Sequence, residues 1–238
     1  MCARTVREEL ILVDGFHAVK HSLRFGAELV DIVATPDSDW RQLAEALAPD
    51  VLESLAGRLR TVPEAEFRMV SAGRHPTGIA ALAKRPQYEA PPERNGERTA
   101  PAVLLEHPRR LGNVGAVVRV AAAVGASGVA VFGDADPWHP AAVRGSAGLH
   151  FALPVTRVSD PAGLAGPLVV MDPEGEPINT AGVDSAALLV FGTERAGVSH
   201  ELKRRADRLV ALPMQPGVSS LNLATSVAAA LYYWRLFK

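Results

Sequence analysis

Hydrophobic residues gather in short blocks separated by helix-length stretches. In the second half of the chain the blocks 102–105, 129–132, 168–171, 188–191 and 209–212 are nearly all apolar. Strands that read this way are covered on both faces, as in a parallel sheet flanked by helices. The stretch between the first two blocks instead places Val114, Val117, Val118, Ala121 and Val124 at helical spacing, with Asn113 as the expected N-cap and Gly125 as the C-terminal stop. Near the beginning, 10–13 and 29–34 read as strands, 15–25 as a helix, and a further helical stretch starts at Asp39. Between the halves, residues 86–101 are polar, carry Pro86, Pro91, Pro92 and Pro101, and follow neither period. The predicted organisation is a small α/β unit over 1–85, a linker over 86–101, and an α/β domain with a parallel sheet over 102–238.

Composition narrows this picture. With 238 residues, 48% of them hydrophobic, the chain has ample material for a core. The 25 Lys and Arg against 26 Asp and Glu leave no overall basic surplus, so any nucleic-acid contact has to be local. The single cysteine, Cys2, excludes an internal disulfide, and no long apolar stretch opens the chain; both point to the cytoplasm. No window holds about 18 uncharged apolar residues in a row, so no membrane span is expected. His17 and His21 stand four apart on the first predicted helix without a third ligand or a catalytic carboxylate, and no metal site is predicted.

Ligands of open parallel sheets collect beyond the carboxyl ends of the strands, so the polar residues there carry the most information. Three places stand out. After the first strand of the second half runs Glu-His-Pro-Arg-Arg-Leu-Gly-Asn-Val-Gly, 106–115, leading into a helix on which Arg119 sits one residue off the apolar stripe. That position suits either a ligand contact or an arginine whose stem lies along the core. The second place is Gly192-Thr-Glu194-Arg-Ala-Gly197, where glycines allow close backbone approach or merely a tight turn. The third is Leu212-Pro-Met214, followed by Ser219, Ser220, Leu221 and Asn222 at the start of a strongly apolar helix. Capping explains one polar residue there, not three.

Taken together, in this order and spacing, Asn113 with Arg119, Gly192 to Gly197, and Leu212 to Met214 with Ser220-Leu221-Asn222 closely resemble the three motifs of the SpoU (TrmH-type) RNA ribose methyltransferases of the SPOUT class. The resemblance covers essentially 102–238, and Arg144 to Gly148 matches a further family segment. Residues 1–85 resemble, more loosely, the ribosomal-protein-like RNA-binding domain of many members, through Val13-Asp-Gly15 and His75-Pro-Thr-Gly78-Ile. Two motifs depart from the usual pattern: Thr193 and Arg195 replace commoner residues in the second, and the third continues Leu223-Ala-Thr225-Ser226.

The resemblance implies a deep trefoil knot, an exception to the rule that chains do not thread loops. It implies S-adenosylmethionine as cofactor, a ribosomal or transfer RNA substrate, and a homodimer formed through the knot region. Arg119, Asn113, Glu194, Ser220 and Asn222 are the expected catalytic residues; Gly192, Gly197, Leu212, Met214, Ser220, Leu221 and Asn222 are expected to bind the cofactor. A guanidinium keeps its proton, so Arg119 is read as a clamp on a developing alkoxide and the neighbouring phosphate, not as a base. Discrimination between RNAs is expected from residues 1–85, through Arg58, Arg60, Arg68, Arg74, His75, Lys84 and Arg85. Arg109-Arg110 and Lys203-Arg204-Arg205 suit either solvated faces or further phosphate contacts, and their closeness to the first and second motifs favours the latter. A nicotinamide enzyme is disfavoured because Gly112-Asn-Val-Gly115 lacks the G-x-G-x-x-G spacing. A non-catalytic RNA-binding protein that kept the fold is the alternative; methyl transfer distinguishes the two.

Overall fold

The computed structural model describes residues 9–71, 75–88, 98–193 and 196–238. It divides into two compact units, residues 1–87 with 138–152, and residues 88–137 with 153–238.

The first unit is built on a four-stranded sheet in the order β1-β4-β2-β3, formed by β1 (Leu10–Asp14), β2 (Leu29–Ala34), β3 (Leu59–Thr61) and β4 (Ile79–Lys84). Strand β4 is antiparallel to both of its neighbours, while β2 and β3 run parallel. Helix α1 (Phe16–Arg24) buries Phe16, Ala18 and Val19 on one side. Helices α2 (Trp40–Leu47), α3 (Leu52–Ala56) and α4 (Glu64–Val70) connect the strands. The strand β4 was missed in the sequence because Ile79-Ala-Ala-Leu-Ala-Lys84 is alanine-rich and weak in β-propensity. Long-range pairing with β1 and β2 makes it a strand.

Residues 138–152, which the sequence reading left inside the second part, pack with this first unit. The segment contains helix α5 (Pro140–Gly145), and the Arg144 guanidinium donates to the buried Asp14 carboxylate at 2.5 Å, beside the Ser71 hydroxyl at 3.1 Å. His21 Nδ1 lies 2.8 Å from the Ala147 carbonyl. Gly148, at φ +79°, is pressed so closely on the Ala18 backbone that a Cβ would fall 2.3 Å from its carbonyl oxygen. The segment carries its own apolar anchors, Trp138 against Phe151 and His150, with ring centroids 5.3 and 5.0 Å apart. A boundary drawn at the proline-rich stretch alone cannot show that a later segment returns.

The second unit holds a six-stranded, wholly parallel sheet: β5 (Ala102–Glu106), β6 (Gly128–Phe132), β7 (Val155–Val158), β8 (Leu168–Pro177), β9 (Leu188–Phe191) and β10 (Arg208–Ala211), in the order β10-β8-β9-β5-β6-β7. The α/β class and the parallel sheet agree with the sequence reading; β7 was not foreseen, since Val-Thr-Arg-Val at the sheet edge alternates instead of running apolar. Strands β5 and β9, central in the sheet, are buried throughout. From β5 the chain winds outward through β6 and β7, then returns to build β9 and β8 on the other side. The reversal lies between β5 and β9, where parallel sheets open a crevice for ligands.

Helix α6 (Leu111–Val124) follows β5 and buries the predicted stripe, Val114, Val117, Val118, Ala121 and Val124. Gly125 ends it in the left-handed conformation at φ 73°, as expected. The N-cap is Arg110 and not Asn113, which sits in the first turn. Helix α9 (Leu223–Phe237) packs against α6 and buries Leu223, Val227, Ala230, Leu231 and Trp234. Short helices α7 (Ile178–Ala181) and α8 (His200–Arg205) complete the unit.

Candidate active site

The first and third sequence motifs meet at the start of two helices. Asn222 is the N-cap of α9: its Oδ1 accepts the Ala224 N–H at 2.9 Å. Its Nδ2 donates to Asn113 Oδ1 at 3.3 Å, across 109 residues of sequence. One asparagine thus caps a helix through its amide oxygen and holds the other through its amide nitrogen. Displacement of Asn113 from the cap into the first turn of α6 is what lets its side chain reach Asn222. Arg119 lies further along α6, exposed, with no hydrogen-bond or ion-pair partner among the described residues. Ser219 and Ser220 precede α9 and are exposed, so the polar run divides between one cap and two hydroxyls that line a cavity.

The second motif is a tight loop after β9. Thr193 and Gly197 exchange both backbone hydrogen bonds, at 3.0 and 3.2 Å, and the Thr193 hydroxyl accepts the Ala196 N–H at 2.9 Å. The threonine side chain thus closes its own turn by a local bond to the backbone. The glycines serve the loop before any ligand. A Cβ at Gly192 would lie 1.9 Å from the Gly197 carbonyl carbon, and Gly197 adopts φ 68°. Glu194 and Arg195 lie outside the described residues.

Glu106 was overlooked in the sequence. It ends β5 with only 4% exposure, and its Oε2 accepts the Ser199 N–H at 2.7 Å. Ser199 in turn caps α8 by accepting the Leu202 N–H. A buried carboxylate from the strand on one side of the crevice therefore fixes the loop on the other. The available signal was a charged residue closing an otherwise apolar strand.

A cavity of about 580 Å³ opens between the loop after β9, the segment 171–174 and residues 212–226. Strand β8 creates the second wall by leaving the sheet: Val170 pairs with Leu209, but the next partner of β10 is Glu176, so the intervening residues bow outward. The return is crowded, since a Cβ at Gly175 would lie 2.5 Å from the Leu209 and Val210 backbone. Of the residues expected to bind the cofactor, Gly192, Gly197, Leu212, Met214, Ser220 and Leu221 line the cavity and Asn222 does not; Asn113 and Arg119 also lie outside its lining. Phe191, Val210 and Leu223 supply apolar wall. Of the three neighbouring cations Lys203 is engaged, its ammonium 2.5 Å from Asp172 with both residues lining the cavity, while Arg204 and Arg205 are exposed. Burial alone would raise the Asp172 carboxyl, but hydrogen bonds from Lys203 and the Glu174 N–H hold it below the usual carboxylate range.

A parallel sheet with a cavity of this size beyond the carboxyl ends of β8, β9 and β10 has the form of an α/β domain that takes a small ligand, since such pockets measure about 300–1,000 Å³. Residues 100–232 match the SpoU rRNA Methylase family, and the chain belongs to that family. Among its relatives, the 23S rRNA (uridine(2479)-2'-O)-methyltransferase of Streptomyces viridochromogenes is 35% identical over 144 residues, 55% of this chain and 50% of the relative. The 23S rRNA (adenosine(1067)-2'-O)-methyltransferase of Streptomyces azureus is 26% identical over 239 residues, 93% of this chain and 84% of the relative. The chain thus spans about half the length of the former. The SpoU methyltransferase AviRb of Streptomyces viridochromogenes, solved in complex with the cofactor AdoMet, superimposes with a TM-score of 0.78 at 25% identity, covering 98% of this chain and 92% of that one.

Proposed function

We propose that this chain is an S-adenosylmethionine-dependent RNA methyltransferase that modifies a ribose 2′-hydroxyl of ribosomal or transfer RNA, with a knotted second unit. The Asn113–Asn222 hydrogen bond carries the reading, because it joins the first and third family motifs in one place. Family membership and the names of the 23S rRNA relatives support it further. For the knot, the support is membership of the SpoU family, whose resemblance implies that fold.

The residues present fit the cofactor. Gly192, Leu212 and Leu221 line the cavity, and their backbone groups would hold the polar edges of an adenosyl group, with Phe191 and Leu223 as apolar walls. When bound, the cofactor supplies an electrophilic methyl group on a sulfonium. The protein then has to align a ribose hydroxyl with that methyl and stabilise the charge that develops on its oxygen. Arg119 acts as the electrostatic clamp on that oxygen and the adjacent phosphate. Asn113, held by Asn222, orients the ribose, and Ser220 and Glu194 complete the polar surroundings. Incubation of the intact chain with tritiated S-adenosylmethionine and unmodified 23S or transfer RNA is expected to place label in alkali-stable dinucleotides, the signature of a 2′-O-methyl group. Cofactor binding without any transfer to either RNA would favour the non-catalytic alternative.

Two further parts of the reading concern assembly and substrate choice. Helix α9 leaves Tyr232, Leu236 and Phe237 exposed at 46%, 72% and 74%, with the Tyr233 ring tilted against that of Phe237 at 5.0 Å between centroids. An apolar surface of this kind on the outer side of a buried helix suits a second copy of the chain. Light scattering is expected to give twice the 25.2 kDa chain mass, and a monomer at micromolar concentration would refute the dimer.

The first unit is proposed to bind RNA. Its basic side chains are engaged locally: Arg60 with Asp31 and Glu66, Arg68 with Glu64, Lys84 with Glu28, and Arg58 with the Leu29 carbonyl. His75 bonds Thr77, while Arg74 lies outside the described residues. Exposed ion pairs are worth only about 0–1 kcal/mol, so RNA phosphates can replace these partners at little cost. Because 138–152 packs with this unit, removing residues 1–87 would strip Arg144 of Asp14 and Gly148 of the Ala18 backbone; the test belongs in the intact chain. Arg60→Gln with Arg68→Gln is expected to lower RNA affinity and reduce the salt slope of log Kd by roughly one per lost phosphate contact. An unchanged slope would confine RNA recognition to the second unit.

A further inference from the structure

The proposed reaction makes no use of one feature of the cavity, the charged pair in its wall. Lys203 Nζ lies 2.5 Å from Asp172 Oδ2, and the two side chains are 28% and 6% exposed. The other Asp172 oxygen accepts the Glu174 N–H at 2.9 Å, so the carboxylate is fixed by the segment that bows out of β8. Lys203 is carried by α8, whose capping residue Ser199 is tied to the buried Glu106. Both members are thus held from opposite walls. Burying a carboxylate is costly even when it is paired, and an apolar pair of the same volume would pack these walls equally well. A charged pair lining a ligand cavity therefore points to a polar group on the ligand.

The chemistry of the pair selects that group. Of the three ammonium protons of Lys203, one faces Asp172 and two remain; the carboxylate keeps lone pairs beyond its two bonds. Vicinal hydroxyls both donate and accept, so a diol bonds carboxylate and ammonium together without separating them. A zwitterionic amino-acid head would compete for both partners and break the 2.5 Å contact. We propose that Lys203 and Asp172 bind the ribose diol of the adenosyl cofactor and set the preference of the site for a ribonucleoside. This inference rests on the cofactor reading above.

Calorimetry on the intact chain can test it with three probes: S-adenosylhomocysteine; 5′-methylthioadenosine, which keeps the ribose and lacks the amino acid; and 2′-deoxy-S-adenosylhomocysteine. Lys203→Gln is expected to weaken the first two by the same factor, about tenfold, and to change the deoxy analogue by less than about twofold. Lys203→Arg should recover most of the loss, because it restores the charge and the donors. A loss confined to S-adenosylhomocysteine would move the pair to the amino-acid end and overturn the assignment. Equal losses for all three probes would make the pair a structural brace, and no loss for any would leave it without a ligand; either result overturns the assignment. Wild-type protein that binds none of the probes would instead defeat the cofactor reading itself, and this inference with it.

Discussion

Arg119→Ala is expected to lower methyl transfer by about 10²–10³-fold or more, the cost of removing one preorganised donor from a developing oxyanion. Affinity for S-adenosylhomocysteine should stay within about twofold, because Arg119 does not line the cavity. The fold should tolerate the change. Arg119 is exposed on α6 and lies off the buried stripe of valines, and surface substitutions of that kind stay within about 0.5 kcal/mol. Arg119→Lys separates charge from shape: lysine keeps a cation but not the planar fork that can hold an alkoxide and a phosphate together, so it should recover only a small part of the lost rate. Single-turnover methylation alongside calorimetry provides both readouts. Near-normal turnover in the alanine variant would show that the clamp lies elsewhere.

The parts of this site that could be read from sequence are those in which backbone geometry dictates residue type. Gly125 ends α6 because only a residue at ease with positive φ fits there. The valine stripe of α6 and the Leu223 to Trp234 stripe of α9 follow from helical spacing, and each is buried where the spacing put it. Contacts set by tertiary approach were illegible. The apolar block ends at Met171 and Asp-Pro-Glu-Gly175 reads as a turn, but no local pattern shows that the chain rejoins β10 at Glu176, so Asp172 gave no sign of facing Lys203. For the same reason Lys203 passed as one of three exposed cations. Asn113 shows the limit from the other side: its residue type is a good cap, but the helix begins two residues earlier and the side chain is spent on Asn222. The return of 138–152 to the first unit depends on Arg144 finding Asp14, 130 residues away, which no local pattern encodes.

Asn222→Ala should produce two losses that a second substitution can separate. The alanine removes the cap of α9, which costs about 1 kcal/mol of stability, and also the donor that holds Asn113. Because α9 packs along α6 and its first turn borders the cavity through Leu223, loosening that turn should weaken cofactor binding, by an expected factor of about five if the cap energy is felt in full. Turnover should fall further, by about 10²-fold, as Asn113 loses its orientation. Asn222→Asp divides these effects. A carboxylate caps as well as an amide and favours the helix N-terminus, so the thermal midpoint should stay near wild type. It has no N–H to give Asn113, however, and it places a negative charge near the oxygen on which charge must develop, so methyl transfer should remain as low as in the alanine variant or lower. A thermal melt, S-adenosylhomocysteine calorimetry and methylation rates on the two variants make the comparison. If the aspartate variant methylates at close to the wild-type rate, capping is the whole contribution of Asn222, and the hydrogen bond to Asn113 has no part in catalysis.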